Sequence, residues 1–236
     1  MPISAKARQA RLEALVSGSY CPDMQVLDLD RVRHAKVETD PFRHFVVPGF
    51  IPAAARPALS RDFPRIDKVG SFPTTMLDMG PAFAGLIREL EGPAFRDVIA
   101  AKLDIDLAGR PTMVTVRGRS GARDGNIHAD SSSKLVTVLI YLNESWEAPG
   151  GRLRLLRSPD NLDDMVAEVP PDAGTLLAFL VTPHSWHGHA PAFGPRRVVQ
   201  LNWVTDENVV RRERGRHILS ARVKRLLAFA KSPAAG

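Results

Sequence analysis

The hydrophobic pattern of the chain changes near residue 110. Before that point, apolar residues recur at the three- and four-residue spacing of amphipathic helices. The stretches with this spacing are 1–20, 52–63 and, in two pieces, 81–103. One short apolar and β-branched run, 42–47, predicts a strand within this part. The polar region 21–41 has no clear period, so we predict no regular element there.

Beyond residue 110 the pattern becomes that of β-strands. Short runs rich in β-branched residues alternate with turns rich in Gly and Pro, and two of the runs are apolar at nearly every position, which is typical of strands buried on both faces. The predicted strands are 113–117, 135–142, 151–155, 174–181 and 197–204. Many short strands in series favour a sandwich or barrel. We therefore predict a mainly β fold with flanking helices (α+β), namely a jelly roll or double-stranded β-helix.

The length of 236 residues suits one structural domain with additional elements. Within it we expect three regions. Residues 1–110 supply helices and a strand that support the core, residues 111–206 form the jelly-roll core, and residues 207–236 form a basic amphipathic helix.

Charge and cysteine content narrow the class of protein. The net charge is +6, and much of the excess lies in 211–231, where apolar residues recur at helical spacing. This favours a helix packed on the domain with a solvated basic face. Contact of residues 209–231 with a membrane surface is the weaker alternative, and we do not expect nucleic acid as a partner. Cys21 is the single cysteine and no signal-peptide pattern is present, so we expect a cytoplasmic protein without disulfides.

His128-Ala129-Asp130 is the first group of candidate functional residues. It lies between two predicted strands, and side chains two positions apart in extended backbone point to the same side, so both could reach one metal ion. With a second, distant histidine they would form the two-His, one-carboxylate set that leaves three positions open on iron(II). Taken alone, a His-x-Asp pair is a weak signal.

A second group follows the predicted strand 174–181. It offers His184, His187 and His189 as the distant metal ligand, and Arg197 begins the last strand. An arginine at the start of a buried strand is costly unless it meets an anion, and a guanidinium can hold a carboxylate by two hydrogen bonds. From these residues alone, a structural ion pair of Arg197 stays the alternative.

These groups belong to a longer series of motifs with a specific order. In chain order the series is His128-x-Asp130, Tyr141-Leu142-Asn143, Gly150-Gly151-Arg152-Leu153-Arg154, Gly174-Thr175-Leu176-Leu177-Ala178-Phe179, His187, Arg197 and Trp203. It resembles the prolyl-4-hydroxylase-like branch of the 2-oxoglutarate/iron(II) oxygenases. The resemblance spans 112–205 and extends weakly to 41–64.

The resemblance implies roles for individual residues. It makes His128, Asp130 and His187 the catalytic iron ligands and Arg197 the residue that binds 2-oxoglutarate. In this family the basic residue follows the second histidine by nine or ten positions, and it precedes a tryptophan by six.

This spacing favours His187 over His189 as the ligand, with Trp203 six residues beyond Arg197. Arg196 lies on the other face of the strand from Arg197, so we expect Arg197 in the site. His189 could still line it.

One departure from the family concerns the co-substrate. Some relatives have a tyrosine where this chain has Ile140, so a second group for the 2-oxoglutarate carboxylate must come from elsewhere, and Thr115 or Arg117 could supply it. The polar, Gly-rich loop 118–126 leads into the metal ligands. Basic and polar residues near that loop suggest an anionic or polar substrate; they are Arg119, Arg123, Ser131 and Lys134.

The implied activity is an Fe(II)- and 2-oxoglutarate-dependent dioxygenase, which uses dioxygen to hydroxylate its substrate and releases succinate and carbon dioxide. The substrate would be an amino acid or peptide side chain, a sugar or a small metabolite. A non-enzymatic, cupin-like metal-binding sensor or binding protein is the alternative, and it would not need Arg197. A nucleic-acid demethylase is disfavoured, because such enzymes usually carry a second arginine where this chain has Trp203.

Overall fold

The computed structural model of the protein describes residues 26–122, 124–212 and Gly215. The predicted helix over 1–20, Cys21, Arg123 and most of the predicted C-terminal helix lie outside these residues. Of that last helix, the structure describes a helical run over 207–212. No helix in the described part of the chain is long and apolar enough to cross a bilayer.

The helices precede the long strands of the fold. They are α1 (Leu29–His34), α2 (Arg56–Arg61), α3 (Pro81–Leu90) and α4 (Pro93–Leu103), with 3-10 turns at Ala53–Ala55 and Thr74–Met76. Proline at the first position of α3 and of α4 fixes a helical φ where no backbone donor is needed. The predicted helices over 52–63 and 81–103 are confirmed, whereas α1 falls in a region for which no element was predicted.

Nine strands form two antiparallel sheets in the described part of the chain. The strands are β1 (His44–Val47), β2 (Phe72–Pro73), β3 (Thr112–Ser120), β4 (Lys134–Tyr141), β5 (Leu153–Leu156), β6 (Met165–Val169), β7 (Leu176–Leu180), β8 (His187–Gly188) and β9 (Gly194–Val204). The order in the six-stranded sheet is β1-β7-β4-β9-β3-β2, and in the three-stranded sheet it is β6-β5-β8. All six strands predicted from the sequence are present, and the short or partly exposed β2, β6 and β8 were missed.

The six-stranded sheet has two different faces. Apolar residues on one face pack against all four helices in the main core, where Trp203 lies 6.0 Å from Phe95 of α4, centroid to centroid. The other face packs on the three-stranded sheet. That second cluster comprises Phe42, Leu139, Tyr141, Leu153, Leu155, Val169, Leu177, Phe179 and Val198. The prediction of a mainly β, jelly-roll-like fold with flanking helices is thereby confirmed, and the described strands do not close into a barrel.

Candidate active site

The segment that contains His128 and the short strand β8, which contains His187, meet beside the space between the two sheets. His128 and His187 form an antiparallel bridge, with the His128 amide donating to the His187 carbonyl at 3.0 Å and the His187 amide donating back at 2.9 Å. Gly188 permits this contact, because a Cβ there would lie 2.8 Å from the Gly125 carbonyl oxygen. The bridge places the two imidazoles side by side, with ring centroids 4.3 Å apart.

The hydrogen bonds of both histidines fix their tautomers. Nδ1 of His128 lies 2.9 Å from the Asn126 carbonyl oxygen, and Nδ1 of His187 lies 2.9 Å from that of Ser185. A carbonyl oxygen only accepts, so in each ring Nδ1 carries the proton. Each Nε2 is therefore left with a free lone pair, the form in which histidine binds metals.

Asp130 completes the group, and its carboxylate is held at both oxygens. Lys134 Nζ donates to Oδ1 at 2.6 Å, and the Thr137 hydroxyl donates to Oδ2 at 2.5 Å. Burial alone would raise the pKa of this carboxyl. The charges of Lys134 and His187, with the hydrogen bonds from Lys134 and Thr137, outweigh burial and hold the pKa below its usual range. Asp130 is thus ionised at neutral pH.

The three side chains could hold one metal ion. Ligand atoms of His128, Asp130 and His187 all lie within 4.8 Å of one another. Burial lowers the pKa of His187 to about 4, although the Asp130 charge opposes this, so its imidazole is neutral and ready to bind at neutral pH. Two imidazoles and one carboxylate are the donor set of non-haem iron(II) sites with open positions.

A pocket of about 150 Å³ extends from this group into the space between the sheets. Arg196 lies in its wall and is 5% exposed. The guanidinium donates to the Gly151 carbonyl through Nε and Nη2, and no carboxylate of the described residues lies within ion-pairing distance. Burial lowers the pKa of Arg196, which marks a cation poorly compensated by the protein itself.

Tyr141 lies beside Arg196 on the neighbouring strand. The guanidinium carbon is 5.6 Å from the centre of the Tyr141 ring. The Tyr141 hydroxyl is fully buried and close enough to Arg196 to interact with its charge, but it makes no well-formed hydrogen bond among the described residues, and its proton has no acceptor there. A buried cation and an unpaired hydroxyl donor therefore lie together at the pocket, an arrangement suited to a carboxylate.

The structure does not bring Arg197 to this pocket, and the expectation that it lies there is wrong. Its side chain points to the opposite face of β9, where it donates to the Ser60 hydroxyl at 2.8 Å and lies over the Phe63 ring at 5.0 Å. The alternation of side chains along a strand explains this placement, because Val199, Leu201 and Trp203 on the same face are buried in the helix-packed core. Arg196, and not Arg197, faces the metal ligands.

Thr115 and Arg117, expected near the co-substrate, both line the pocket. Arg117 pairs with Asp124 at 2.5 Å and donates to the Ser71 hydroxyl at 3.3 Å. Asp124 also accepts from the Gly121 amide at 2.9 Å. The ion pair therefore holds the loop 118–126, which contains Asp124, against Arg117 of β3.

His189 also lines the pocket, as the sequence allowed. Its Nδ1 lies 2.9 Å from the Ala190 carbonyl oxygen, so Nδ1 carries the proton and Nε2 is an acceptor. Burial lowers the pKa of this imidazole, and the nearby positive charges of Arg196 and Arg117 act in the same direction. The pocket thus contains a neutral histidine that could accept a hydrogen bond from a bound molecule.

Sequence reasoning missed Arg196, Tyr141 and Thr137 as residues of the site. A signal for the correct face was present in the sequence. In the last strand the polar residues Gln200 and Asn202 share a face with Arg196, and such polar positions in a buried strand need polar surroundings.

Comparisons with known proteins agree with this geometry. The model of the 2OG-Fe(II) oxygenase superfamily matches residues 119–205, the segment that contains all three candidate metal ligands and Arg196. No curated protein sequence shows significant similarity to the chain.

Solved structures with a similar fold include several prolyl 4-hydroxylases. A prolyl 4-hydroxylase of Phytophthora capsici is 16% identical, with 78% of this chain and 68% of that chain covered and a TM-score of 0.51. One of Pseudomonas putida is 20% identical, with 75% and 92% covered and a TM-score of 0.49. The viral collagen prolyl hydroxylase of Paramecium Bursaria Chlorella virus-1, in its 2OG complex, is 15% identical, with 70% and 98% covered and a TM-score of 0.47. The first of these likenesses supports a shared fold.

Proposed function

We propose that the protein is an Fe(II)- and 2-oxoglutarate-dependent dioxygenase that hydroxylates a small-molecule or peptide substrate, as the match of residues 119–205 to the model of the 2OG-Fe(II) oxygenase superfamily supports. One observation carries this proposal. A His-Asp-His group with ligand atoms within 4.8 Å opens into the same pocket as a buried arginine that has no carboxylate partner among the described residues. A simple metal-binding module would need the first feature but not the second.

The donor sets fit both groups. His128 and His187 would bind iron through Nε2, and Asp130 through its ionised carboxylate. Arg196 would pair with the distal carboxylate of 2-oxoglutarate, with the buried Tyr141 hydroxyl as a second donor. Among the groups expected from the sequence, Thr115 and Arg117 line the same pocket, and Arg117 is already paired with Asp124.

When bound, iron and 2-oxoglutarate supply the reaction in which dioxygen converts 2-oxoglutarate to succinate and carbon dioxide and transfers one oxygen atom to a C–H bond of the substrate. The chain contributes geometry and electrostatics. The carbonyls of Asn126 and Ser185 keep the two imidazoles in the ligating tautomer. Apolar side chains of Leu139, Leu153 and Val198 line the pocket and would exclude water from a bound co-substrate.

The remaining wall of the pocket would face the substrate. It offers His189 as a neutral acceptor, Gln200 as an amide, and the Arg117–Asp124 pair. Since the Asp124 carboxylate already compensates Arg117, we propose a polar substrate that need not carry a negative charge. We also propose that the catalytic core is 111–206 and that the protein works in the cytoplasm, where its single cysteine would stay reduced.

The test needs no knowledge of the substrate. Fe(II) and then 2-oxoglutarate are added to the metal-free protein without oxygen, and the visible charge-transfer band of the chelated keto acid is recorded. We expect a band that is absent in His187→Ala. If the protein binds iron but shows no band, the enzymatic proposal is overturned, and the alternative of a non-enzymatic, metal-binding jelly-roll protein takes its place.

Two adjacent arginines provide a matched pair for the co-substrate site. In Arg196→Gln we expect the 2-oxoglutarate concentration at half-maximal band intensity to rise on the order of 100-fold, because a buried charge-assisted contact is lost. Arg197→Gln should change it less than about three-fold, since that side chain bonds Ser60 and lies over Phe63 on the other face of the strand. The reverse result would restore the assignment to Arg197.

A further inference from the structure

A row of polar side chains runs from Asp130 through Thr137 and Asn202 to Gln200. The Asn202 amide nitrogen is 2.7 Å from the Thr137 hydroxyl, whose oxygen is 2.5 Å from Asp130 Oδ2. The Gln200 amide nitrogen is 3.0 Å from Asn202 Oδ1. Thr137 and Asn202 are 1% and 3% exposed, so the bond between them is shielded from bulk water. Gln200, at the far end, lines the pocket.

The direction of every bond in this row is determined. The Thr137 oxygen lies 2.5 Å from Asp130 Oδ2, and a carboxylate oxygen that binds a metal can only accept, so the Thr137 proton points to it. The Thr137 oxygen then has only lone pairs left and accepts from the Asn202 amide. Asn202 Oδ1 in turn accepts from Gln200.

The amide of Asn202 cannot be reversed without loss. In the opposite orientation its oxygen would face the Thr137 oxygen and, at 3.5 Å, the Val136 carbonyl oxygen, while its nitrogen would face the Gln200 amide nitrogen. Two of these contacts would then place acceptor against acceptor, and the third would place donor against donor. All three hydrogen bonds therefore donate in the same direction, from Gln200 in the pocket wall towards the Asp130 carboxylate. We call the series Gln200, Asn202 and Thr137 the relay.

We propose that Asn202 is a positioning residue that acts through Thr137 to fix the Asp130 carboxylate for metal binding, and that it links this carboxylate to Gln200 in the pocket wall. The inference rests on the proposed metal site. Lys134 holds the other carboxylate oxygen but is more exposed, with 18% of its side chain accessible. Thr137, the last member of the relay, therefore provides the more buried of the two hydrogen bonds that hold the Asp130 carboxylate.

Loss of the relay has a defined consequence. Without the Thr137 proton, one Asp130 oxygen is buried without a donor, and rotation of the carboxylate towards another partner is no longer opposed. Groups that orient a metal ligand typically account for 10–100-fold in metal affinity. A purely structural role would lower stability and leave metal affinity unchanged.

The first experiment compares two variants at Thr137 by anaerobic Fe(II) titration. Thr137→Val keeps the shape and removes the donor, and we expect Fe(II) affinity to fall about 10–100-fold. Thr137→Ser keeps the donor and should remain within about three-fold of the original protein. Equal affinity in the valine variant would overturn the proposal, and circular dichroism would verify that each variant is folded.

A double-mutant cycle tests whether Asn202 acts through Thr137. Asn202→Leu should weaken Fe(II) binding in the original background and have no further effect in the Thr137→Val background. Equal losses in both backgrounds, or none in either, would contradict the relay. If Asn202→Leu does not fold, Asn202→Ser takes its place in the cycle, because it removes the amide without adding apolar volume.

Asn143 is the matched control for a buried asparagine. It bonds the Pro171 carbonyl and the Arg197 amide, far along the strand from Asp130. Asn143→Leu should lower the unfolding temperature and leave Fe(II) affinity unchanged. If the original protein binds no Fe(II), the proposed function fails; if it binds and all relay variants bind equally, only the relay fails.

Discussion

The two faces of the six-stranded sheet are built from the same strands but carry different chemistry. Towards the helices, β4 and β9 present only apolar residues in their central part, namely Val136, Val138, Ile140, Val199, Leu201 and Trp203. Towards the three-stranded sheet, the alternating positions carry Thr137, Arg196, Gln200 and Asn202. The helix-packed face supplies most of the hydrophobic stabilisation, so the pocket face can carry polar groups that contribute to binding rather than to stability.

The largest expected effect lies on the pocket side. Asp130→Ala removes the only carboxylate of the metal group, and we expect Fe(II) binding and 2-oxoglutarate turnover to be abolished while the fold persists. Fe(II) titration and succinate formation measure the two losses. Asp67→Ala, an exposed aspartate, is the control, and retained turnover in Asp130→Ala would contradict the site.

The largest effect on stability lies on the helix side. Trp203→Ala should lower the free energy of unfolding by about 3–5 kcal/mol, because it removes a fully buried side chain that packs near Phe95. Denaturant unfolding measures this change. Fe(II) affinity, determined where the variant is still folded, should stay within about three-fold. A large loss of affinity would mean that the two faces are not independent.

Much of the fold could be predicted because its strands carry strong patterns. Runs such as 135–142 and 174–181 are β-branched and apolar on both faces, and the structure places them in the middle of the sheet. The strand β6 (Met165–Val169) could not be found this way. It is an edge strand with a mostly exposed or half-buried pattern, so its sequence differs little from that of a loop.

The error at Arg196 and Arg197 shows where sequence spacing fails. The sequence correctly predicted that Arg196 and Arg197 lie on opposite faces of the last strand. Arg197 was placed in the pocket because, in the family, the basic residue precedes a tryptophan by six positions, as Arg197 precedes Trp203. A tryptophan packs equally well in a core or beside a pocket, so its position does not identify the face. The polar residues Gln200 and Asn202 do, because a buried amide needs partners that only the pocket face offers.

The smallest expected effect concerns the loop over the pocket face. Asp124→Asn removes the ion pair with Arg117, in which the Asp124 side chain is 18% exposed and the Arg117 side chain 23%. The substitution should lower the free energy of unfolding by about 1 kcal/mol. Thermal unfolding measures the difference. Asp67→Asn is the control, because its pair with Arg65 is largely exposed and its loss should have no measurable effect.

The dependence of this effect on pH distinguishes an ion pair from simple packing. Burial alone would raise the pKa of Asp124, but Arg117 and the hydrogen bonds from Gly121 and Ser120 lower it below its ordinary value. A carboxyl with a depressed folded-state pKa stabilises the fold fully above its unfolded-state pKa, about 4, and the stabilisation is lost as the pH falls through the folded-state value. The difference between Asp124→Asn and the original protein should therefore be complete at neutral pH and shrink below about pH 4. A difference that stays constant across this range would assign the role of Asp124 to packing of the loop 118–126.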